Sequence, residues 1–315
     1  MLDRLQDTPP DALLALIAQF AADEREDKID LGVGVYRTDD GATPVFGAIK
    51  AAEQRLWEEQ DSKSYLGPEG DRGFVHALMP IIFGSDATMG GRIEGVQTPG
   101  GTGAVRLAVA LAQRAGVSRV FVGTPSWPNH IPIIEDVGLE AVTFSHSNED
   151  GSADADALIA YSCDKNFGLY RDRVGAMYAK VADPAQMGAA MSNAAALARA
   201  NWSMPPDHGG AAVRIVLRDE DLRQQWLEEL DGMRQRLRWV RAHLAGADNK
   251  VEGVPLAHLE EQNGLFAMLP LNKDQIARLR EDHAVYMAGS GRINIAGLTK
   301  SNIDKFIAAL ADVAA

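Results

Sequence analysis

One lysine stands among small and apolar neighbours in the run Ser162-Cys163-Asp164-Lys165-Asn166-Phe167-Gly168. Partial burial there would lower the ammonium pKa and let the neutral amine attack a carbonyl carbon, which is imine chemistry. Residue type alone favours the blander reading, a solvated surface charge. Arg173 follows eight residues later, and Arg199 and Arg292 also sit in non-basic surroundings, Leu-Ala-Arg199-Ala-Asn and Gly-Ser-Gly-Arg292-Ile-Asn. A guanidinium between small residues suits two-pronged capture of a carboxylate or phosphate, with an ordinary ion pair as the alternative. Gly100-Gly101-Thr102-Gly103 opens a helical pattern. Glycines let backbone N–H groups close on an anion and the helix start adds a favourable dipole; a tight loop before a packed helix explains them equally well. The run is neither a dinucleotide fingerprint nor a Walker loop. Trp127-Pro128-Asn129-His130 lies past the end of a strand, where open α/β sheets place ligands, and an indole there can stack on a flat ring. On type alone, a Trp plugging the sheet end beside a hydrogen-bonded His is the commoner arrangement.

The elements that must position these residues follow from hydrophobic spacing. Leu13, Leu14, Leu16, Ile17 and Phe20 predict a helix over 11–24. Residues 29–36 alternate glycine with apolar residues and predict a strand-like segment. Residues 44–59 predict a helix, 104–115 a helix, 120–122 a buried strand, 131–137 a helix and 139–144 a strand. Strand, loop and helix alternating at this pitch predict a mostly parallel sheet. Residues 173–178 predict another strand and 184–200 an Ala-rich helix. Leu222, Trp226, Leu230, Met233 and Leu237 mark one face of a long charged helix over 219–244. The tail alternates strand 264–270, helix 273–282, strand 293–296 and helix 300–314, the last with Thr299 or Ser301 as N-cap. The expected fold is therefore α/β, with a large domain over 38–220 and a smaller α+β domain formed by 1–37 and 221–315, including an N-terminal arm.

With 31 Lys+Arg against 44 Asp+Glu the net charge is −13, which disfavours a phosphate backbone as partner. Any anionic ligand must be held by local positive groups, which makes the individual arginines informative. No apolar run reaches the roughly 18 residues of a membrane span, and the N-terminus carries no signal-peptide pattern. A single cysteine, Cys163, fits a reducing cytosol.

Taken in order, several blocks resemble one family. They are Asp30-Leu-Gly-Val-Gly-Val-Tyr36, Tyr65-Leu-Gly67, Thr98-Pro-Gly-Gly-Thr-Gly-Ala104 and Pro125-Ser-Trp-Pro-Asn-His130. The lysine block through Gly175, Arg199-Ala-Asn-Trp-Ser-Met-Pro-Pro206, Gln262-Asn-Gly-Leu-Phe266 and Ser290-Gly-Arg-Ile-Asn294 continue the series. The chain resembles the aspartate/aromatic amino acid aminotransferases, pyridoxal-phosphate enzymes of fold type I, nearly end to end. The resemblance implies that Lys165 condenses with the cofactor aldehyde and later shuttles a proton. It implies that Gly101, Thr102, Ser162 and Arg173 hold the phosphate, with Tyr65 reaching in from the partner of a homodimer. Trp127 would stack on the pyridine ring, backed by His130. Arg292, helped by the Gly34 backbone N–H, would clamp the substrate α-carboxylate. Arg199 of the partner would meet a distal carboxylate, and Phe266 would line the pocket. The substrates would be an amino acid and a 2-oxo acid, in the cytoplasm, with no nucleic acid, membrane or metal.

One departure is large. After residue 159 the chain passes straight into Ala160-Tyr161-Ser162, where the family carries on the order of 80 further residues, two or three strand–helix units. That segment supplies an asparagine, the aspartate paired with the pyridine nitrogen, and a tyrosine on the cofactor's 3′-oxygen. None has a counterpart in this sequence. Several central strands of the large sheet are therefore expected to be missing, leaving unpaired edges. Asp164 stands where the family often has serine and is expected to point away from the ring nitrogen. Two readings follow: an active transaminase whose extra segment lies outside this sequence, or a shortened remnant that serves as a binding or dimerisation module.

Overall fold

The computed structural model describes residues 2–5, 7, 12–84, 91–145 and 157–315. The run that begins at Asp154 enters the described residues only at 157, and residue 11 of the first expected helix also lies outside them. The chain forms two compact units, Val45–Glu228 and, discontinuously, Met1–Pro44 with Glu229–Ala315.

The larger unit begins with α2 (Gly47–Glu59), after α1 (Ala12–Ala22) and β1 (Ile29–Asp30) of the other unit, and continues with α3 (Arg72–Phe83). Asp71 caps α3 by accepting a hydrogen bond from the Phe74 N–H. Next come β2 (Ile93–Pro99), α4 (Gly100–Arg114), β3 (Arg119–Thr124), α5 (His130–Asp136) and β4 (Glu140–Ser145). Then follow β5 (Ala157–Ser162), β6 (Val174–Lys180), α6 (Met187–Asn201), α7 (His208–Arg218) and the start of α8 (Glu220–Ala245).

Among the described residues the sheet of this unit is in two pieces. β6 lies between β2 and β5 and runs antiparallel to both, while β3 and β4 pair in parallel as a separate ribbon. The expected parallel pairing is thus met at β3–β4, and β6 runs against its neighbours. The centre of the three-stranded piece is dry: Val174, Ala176, Met177 and Tyr178 are fully buried, and the Tyr178 hydroxyl donates to the Val75 carbonyl at 2.8 Å. β2 is likewise buried from Gly95 to Thr98, but β5, β3 and β4 are not. Leu158 on β5, Phe121 on β3 and Phe144 on β4 expose 37%, 64% and 49% of their surface. These side chains leave apolar surface uncovered among the described residues. β5 is unbroken, in register with β6 from Ala157↔Lys180 to Ser162↔Gly175.

In the other unit β1 pairs in parallel with β8 (Val285–Tyr286), and β7 (Phe266–Met268) pairs antiparallel with β9 (Arg292–Asn294). α9 (Lys273–His283) and α10 (Ile303–Ala314) complete it. Leu244, Leu279, Ile293, Phe306 and Leu310 are among its fully buried residues. α9 starts with a reciprocal capping box between Asn272 and Gln275. Three expectations are corrected here. The strand over 29–36 shrinks to Ile29–Asp30, because the Asp30 carboxylate accepts the N–H groups of Gly32 and Val33 and the Asn294 amide ties down the carbonyls of Val33 and Val35. The N-cap of α10 is Asn302 rather than Thr299 or Ser301; its Oδ1 accepts from the Thr299 N–H and so closes the turn before the helix. On α1, Leu14 and Ile17 are exposed, while Phe20 packs edge-on against Tyr286 at 5.3 Å. No described helix is long and apolar enough to cross a membrane.

Candidate active site

Three chain segments cross where β2 passes into α4. No linker intervenes: α4 begins at Gly100, four residues before the helix expected at Ala104. Gly100 has φ +67°, and a Cβ there would lie 2.5 Å from the Arg173 guanidinium. A Cβ on Gly101 would lie 2.8 Å from Ser162 Cβ, and one on Gly175 would lie 2.6 Å from both the Gly100 carbonyl carbon and the Tyr161 oxygen. Only glycine permits this approach. The start of α4, the end of β5 with Ser162 and the start of β6 after Arg173 are thereby in van der Waals contact. Pro99 precedes the helix and gives its first turn no side-chain cap, so N–H groups and dipole are directed at whatever lies beyond. Arg173 holds φ +54°, unusual for a residue with a side chain. Its Nη1 donates to the Tyr170 carbonyl at 3.0 Å and to both Asp164 carboxylate oxygens at 3.3 and 3.4 Å.

Between Ser162 and Arg173 the chain forms the lysine loop. The Cys163 N–H donates to the Val174 carbonyl at 2.9 Å and the Phe167 N–H to the Cys163 carbonyl at 3.3 Å. Phe167 stacks on Trp226 with centroids 4.6 Å apart and planes 4° from parallel. The Trp226 indole N–H donates to the Asn166 carbonyl at 2.7 Å, and the Asn166 amide donates to the Tyr161 hydroxyl at 2.8 Å. Burial pushes the Tyr161 phenol up to about 12 and holds the Cys163 thiol well above its ordinary range. Lys165 itself is exposed, against the partial burial anticipated for it. Its Nζ lies 4.8 Å from the Tyr170 ring centroid, a cation–π contact that orients the amine without removing it from water.

Trp127 and His130 meet at the end of β3, edge to face with centroids 5.3 Å apart. His130 Nδ1 lies 2.6 Å from Ser126 Oγ, and burial lowers the imidazole pKa below 6.5. Tyr65 is 94% exposed. Its neighbour Leu66 donates its N–H to Met204 Sδ at 3.0 Å, and Arg199, also exposed, bonds the adjacent Ser203 hydroxyl. Tyr65 and Arg199, expected to act across a subunit boundary, thus share one surface region.

In the smaller unit the Arg292 guanidinium stands 4.7 Å over the Phe266 ring and donates to the Gly32 carbonyl at 3.1 Å. Its buried Nε has no hydrogen-bond partner, a vacancy a carboxylate would fill. Gly34 is bracketed by the carbonyls that Asn294 fixes. Phe266 is held from behind by Arg241, almost wholly buried, whose guanidinium donates to the carbonyls of Leu259, Asn263, Gly264 and Phe266. Arg241 and Trp226 are supports that spacing did not reveal. Trp226 read only as one member of an apolar stripe, and Arg241 as one charge on a charged helix. Asp164 points to Arg173.

Comparison with known proteins bears on what this arrangement serves. The family model for aminotransferase class I and II matches residues 26–161 and 151–310. A tyrosine aminotransferase of Rhizobium meliloti is 39% identical over 376 residues, covering 95% of this chain and 96% of that protein. An aspartate aminotransferase of Escherichia coli is 33% identical, covering 96% and 97%. Among solved structures, an aromatic amino acid aminotransferase with 3-indolebutyric acid superposes with a TM-score of 0.92 at 31% identity, covering both chains fully. An aromatic-amino-acid aminotransferase from Burkholderia pseudomallei, covalently bound to pyridoxal phosphate, superposes with the same score at 25% identity, again over both full chains. The alignment to the Rhizobium protein spans 376 positions although it takes in only 95% of the 315 residues here, and the family match restarts at residues 151–161. The relatives therefore carry an internal stretch that this sequence lacks, at the place where the sheet divides.

Proposed function

Because the chain belongs to the aminotransferase class I and II family, we propose that it transfers the α-amino group of aspartate, glutamate or an aromatic amino acid to a 2-oxo acid, using pyridoxal phosphate. The observation that carries the reading is the convergence of Gly100, Gly101, Ser162 and Arg173 beside the loop that presents Lys165.

The residues present fit the phosphate end of the cofactor. At Gly101 a side chain would collide with Ser162 and at Gly100 with Arg173, so the bare start of α4 lies beside a hydroxyl and a guanidinium, the donor types a phosphate takes. They fit the aldehyde end through the Lys165 amine. The ring nitrogen has no such partner in this loop, since Asp164 is committed to Arg173. When bound, the cofactor supplies an electron sink for the pair left by the substrate Cα–H bond.

The rest is the work of the chain. Gly101, Thr102, Ser162 and Arg173 hold the phosphate, with Tyr65 contributed across a homodimer. Trp127 covers one face of the ring, and His130 buttresses Trp127. Lys165 Nζ would be the base that accepts the substrate Cα proton and gives it back. The Arg292 fork and the Gly34 N–H receive the α-carboxylate, Phe266 lines the side-chain pocket, and Arg199 of the partner meets a distal carboxylate. Two guanidinium groups explain how a chain of net charge −13 captures an acidic substrate. We assign residues 38–220 to cofactor binding, 1–37 with 221–315 to the smaller domain, and the dimer to the cytoplasm.

Purified protein mixed with pyridoxal phosphate should develop a visible absorbance band that is lost in Lys165→Ala. It should form 2-oxo acid product from aspartate or phenylalanine with 2-oxoglutarate. A protein that stays colourless after cofactor addition returns the chain to the alternative, a binding or dimerisation module.

A further inference from the structure

We propose that Asp164 is a built-in competitor for the phosphate site, a carboxylate resting on the guanidinium that anchors the anion, so that the cofactor is exchangeable rather than permanently held. The inference rests on the phosphate reading of that site given above. Both Asp164 oxygens lie 3.3 and 3.4 Å from Arg173 Nη1, and the Asp164 side chain is 18% exposed while that of Arg173 is 40% exposed. The other edge of that guanidinium, Nη2 and Nε, faces Gly100 at the start of α4, and the Asp164 backbone N–H donates to Ser162 Oγ at 3.2 Å. Asp164 is therefore linked to two of the anchors, guanidinium and hydroxyl, and brings a negative charge beside them.

A phosphate arriving there meets a cation already partly neutralised and a like charge resting on the same guanidinium. Both effects oppose binding, and the exposure of the pair limits their size through solvent screening. The carboxylate holds Nη1 while Nη2 and Nε face Gly100, so it opposes an arriving anion through its charge on the shared guanidinium. A serine, expected at this position from the family resemblance, carries a donor and no charge, and imposes neither cost.

The test is equilibrium binding by calorimetry of three ligands, inorganic phosphate, pyridoxal phosphate and unphosphorylated pyridoxal, to the wild-type chain, Asp164→Asn and Asp164→Ser. Asparagine keeps the side-chain volume and serine does not, so agreement between them isolates the charge. The expected result is about ten-fold tighter binding of phosphate and of pyridoxal phosphate in both variants, with pyridoxal unchanged. Equal or weaker phosphate binding in either variant overturns the proposal. So does an equal gain for pyridoxal, which would put the effect of the carboxylate at the amine or ring. The phosphate titration decides this question even where no absorbance band forms, whereas the Lys165→Ala band tests the catalytic reading. The two ideas therefore fail separately.

Discussion

Replacing Trp226 tests whether the lysine loop is held from behind. Trp226 is 2% exposed, stacks on Phe167 and donates its indole N–H to the Asn166 carbonyl. Asn166 is the residue after Lys165. Trp226→Ala removes a buried aromatic side chain, a loss of about 3–5 kcal/mol in well-packed cores. The stacked pair accounts for roughly 0.5–1.5 kcal/mol beyond area. Trp226→Phe keeps a ring over Phe167 and deletes the hydrogen bond, which should cost about 1–2 kcal/mol including the smaller ring. For a chain whose total stability is of the usual order, 5–15 kcal/mol, the alanine variant loses a large share. Urea unfolding followed by far-UV circular dichroism reads the stability. Titration with pyridoxal phosphate at a urea concentration where both proteins are folded reads the loop. The phenylalanine variant should bind the cofactor more weakly than wild type while remaining folded. Trp226→Ala within about 1 kcal/mol of wild type, or Trp226→Phe with unchanged cofactor affinity, would refute the claim that this indole positions the amine.

Leu158→Lys with Phe121→Lys places charges on the bare β5 and β3, which expose these side chains; light scattering at 37 °C should show slower aggregation with little change in unfolding midpoint. Gly100→Ala meets both φ +67° and a 2.5 Å clash with Arg173, whereas Gly41→Ala meets φ +83° in open space; cofactor affinity should fall several-fold in the first and hold in the second, and equal affinities would remove Gly100 from the anion site. His130 protonates below 6.5 in the folded chain, so the unfolded state takes up the proton first. Stability should therefore fall as pH drops from 6.5 toward the folded value, and proton NMR of the imidazole should titrate below 6.5.

Much of the site was legible because its chemistry is local. Ser162, Lys165 and Arg173 lie within one short stretch, and Gly100-Gly101-Thr102-Gly103 announces a close approach. What escaped was held together by distant packing. The helix α7 opens His208-Gly209-Gly210, a poor helical start, yet a Cβ at Gly209 would strike Val174 and one at Gly210 would strike Gln97. Close packing overrides propensity there. β2 carries Gly95 and ends in Pro99, which masks a strand; the glycine is needed because Tyr178 of β6 lies against it. Glycines disfavour helices in isolation, which hides the extra turn at the start of α4, yet at Gly100, Gly101 and Gly103 a Cβ would meet atoms closer than 3 Å. The exposure of Lys165 was not legible either, since it depends on which strands cover the loop.

Cys163 has a further use. It is the only sulfhydryl in the sequence and is wholly enclosed, one residue from Ser162 and two from Lys165. Chemical labelling of the native chain is therefore blocked until this region opens, so the rate of modification is a clock for local opening. Ligands that tighten the segment should slow that clock, giving a reporter that requires neither a dye nor an engineered residue.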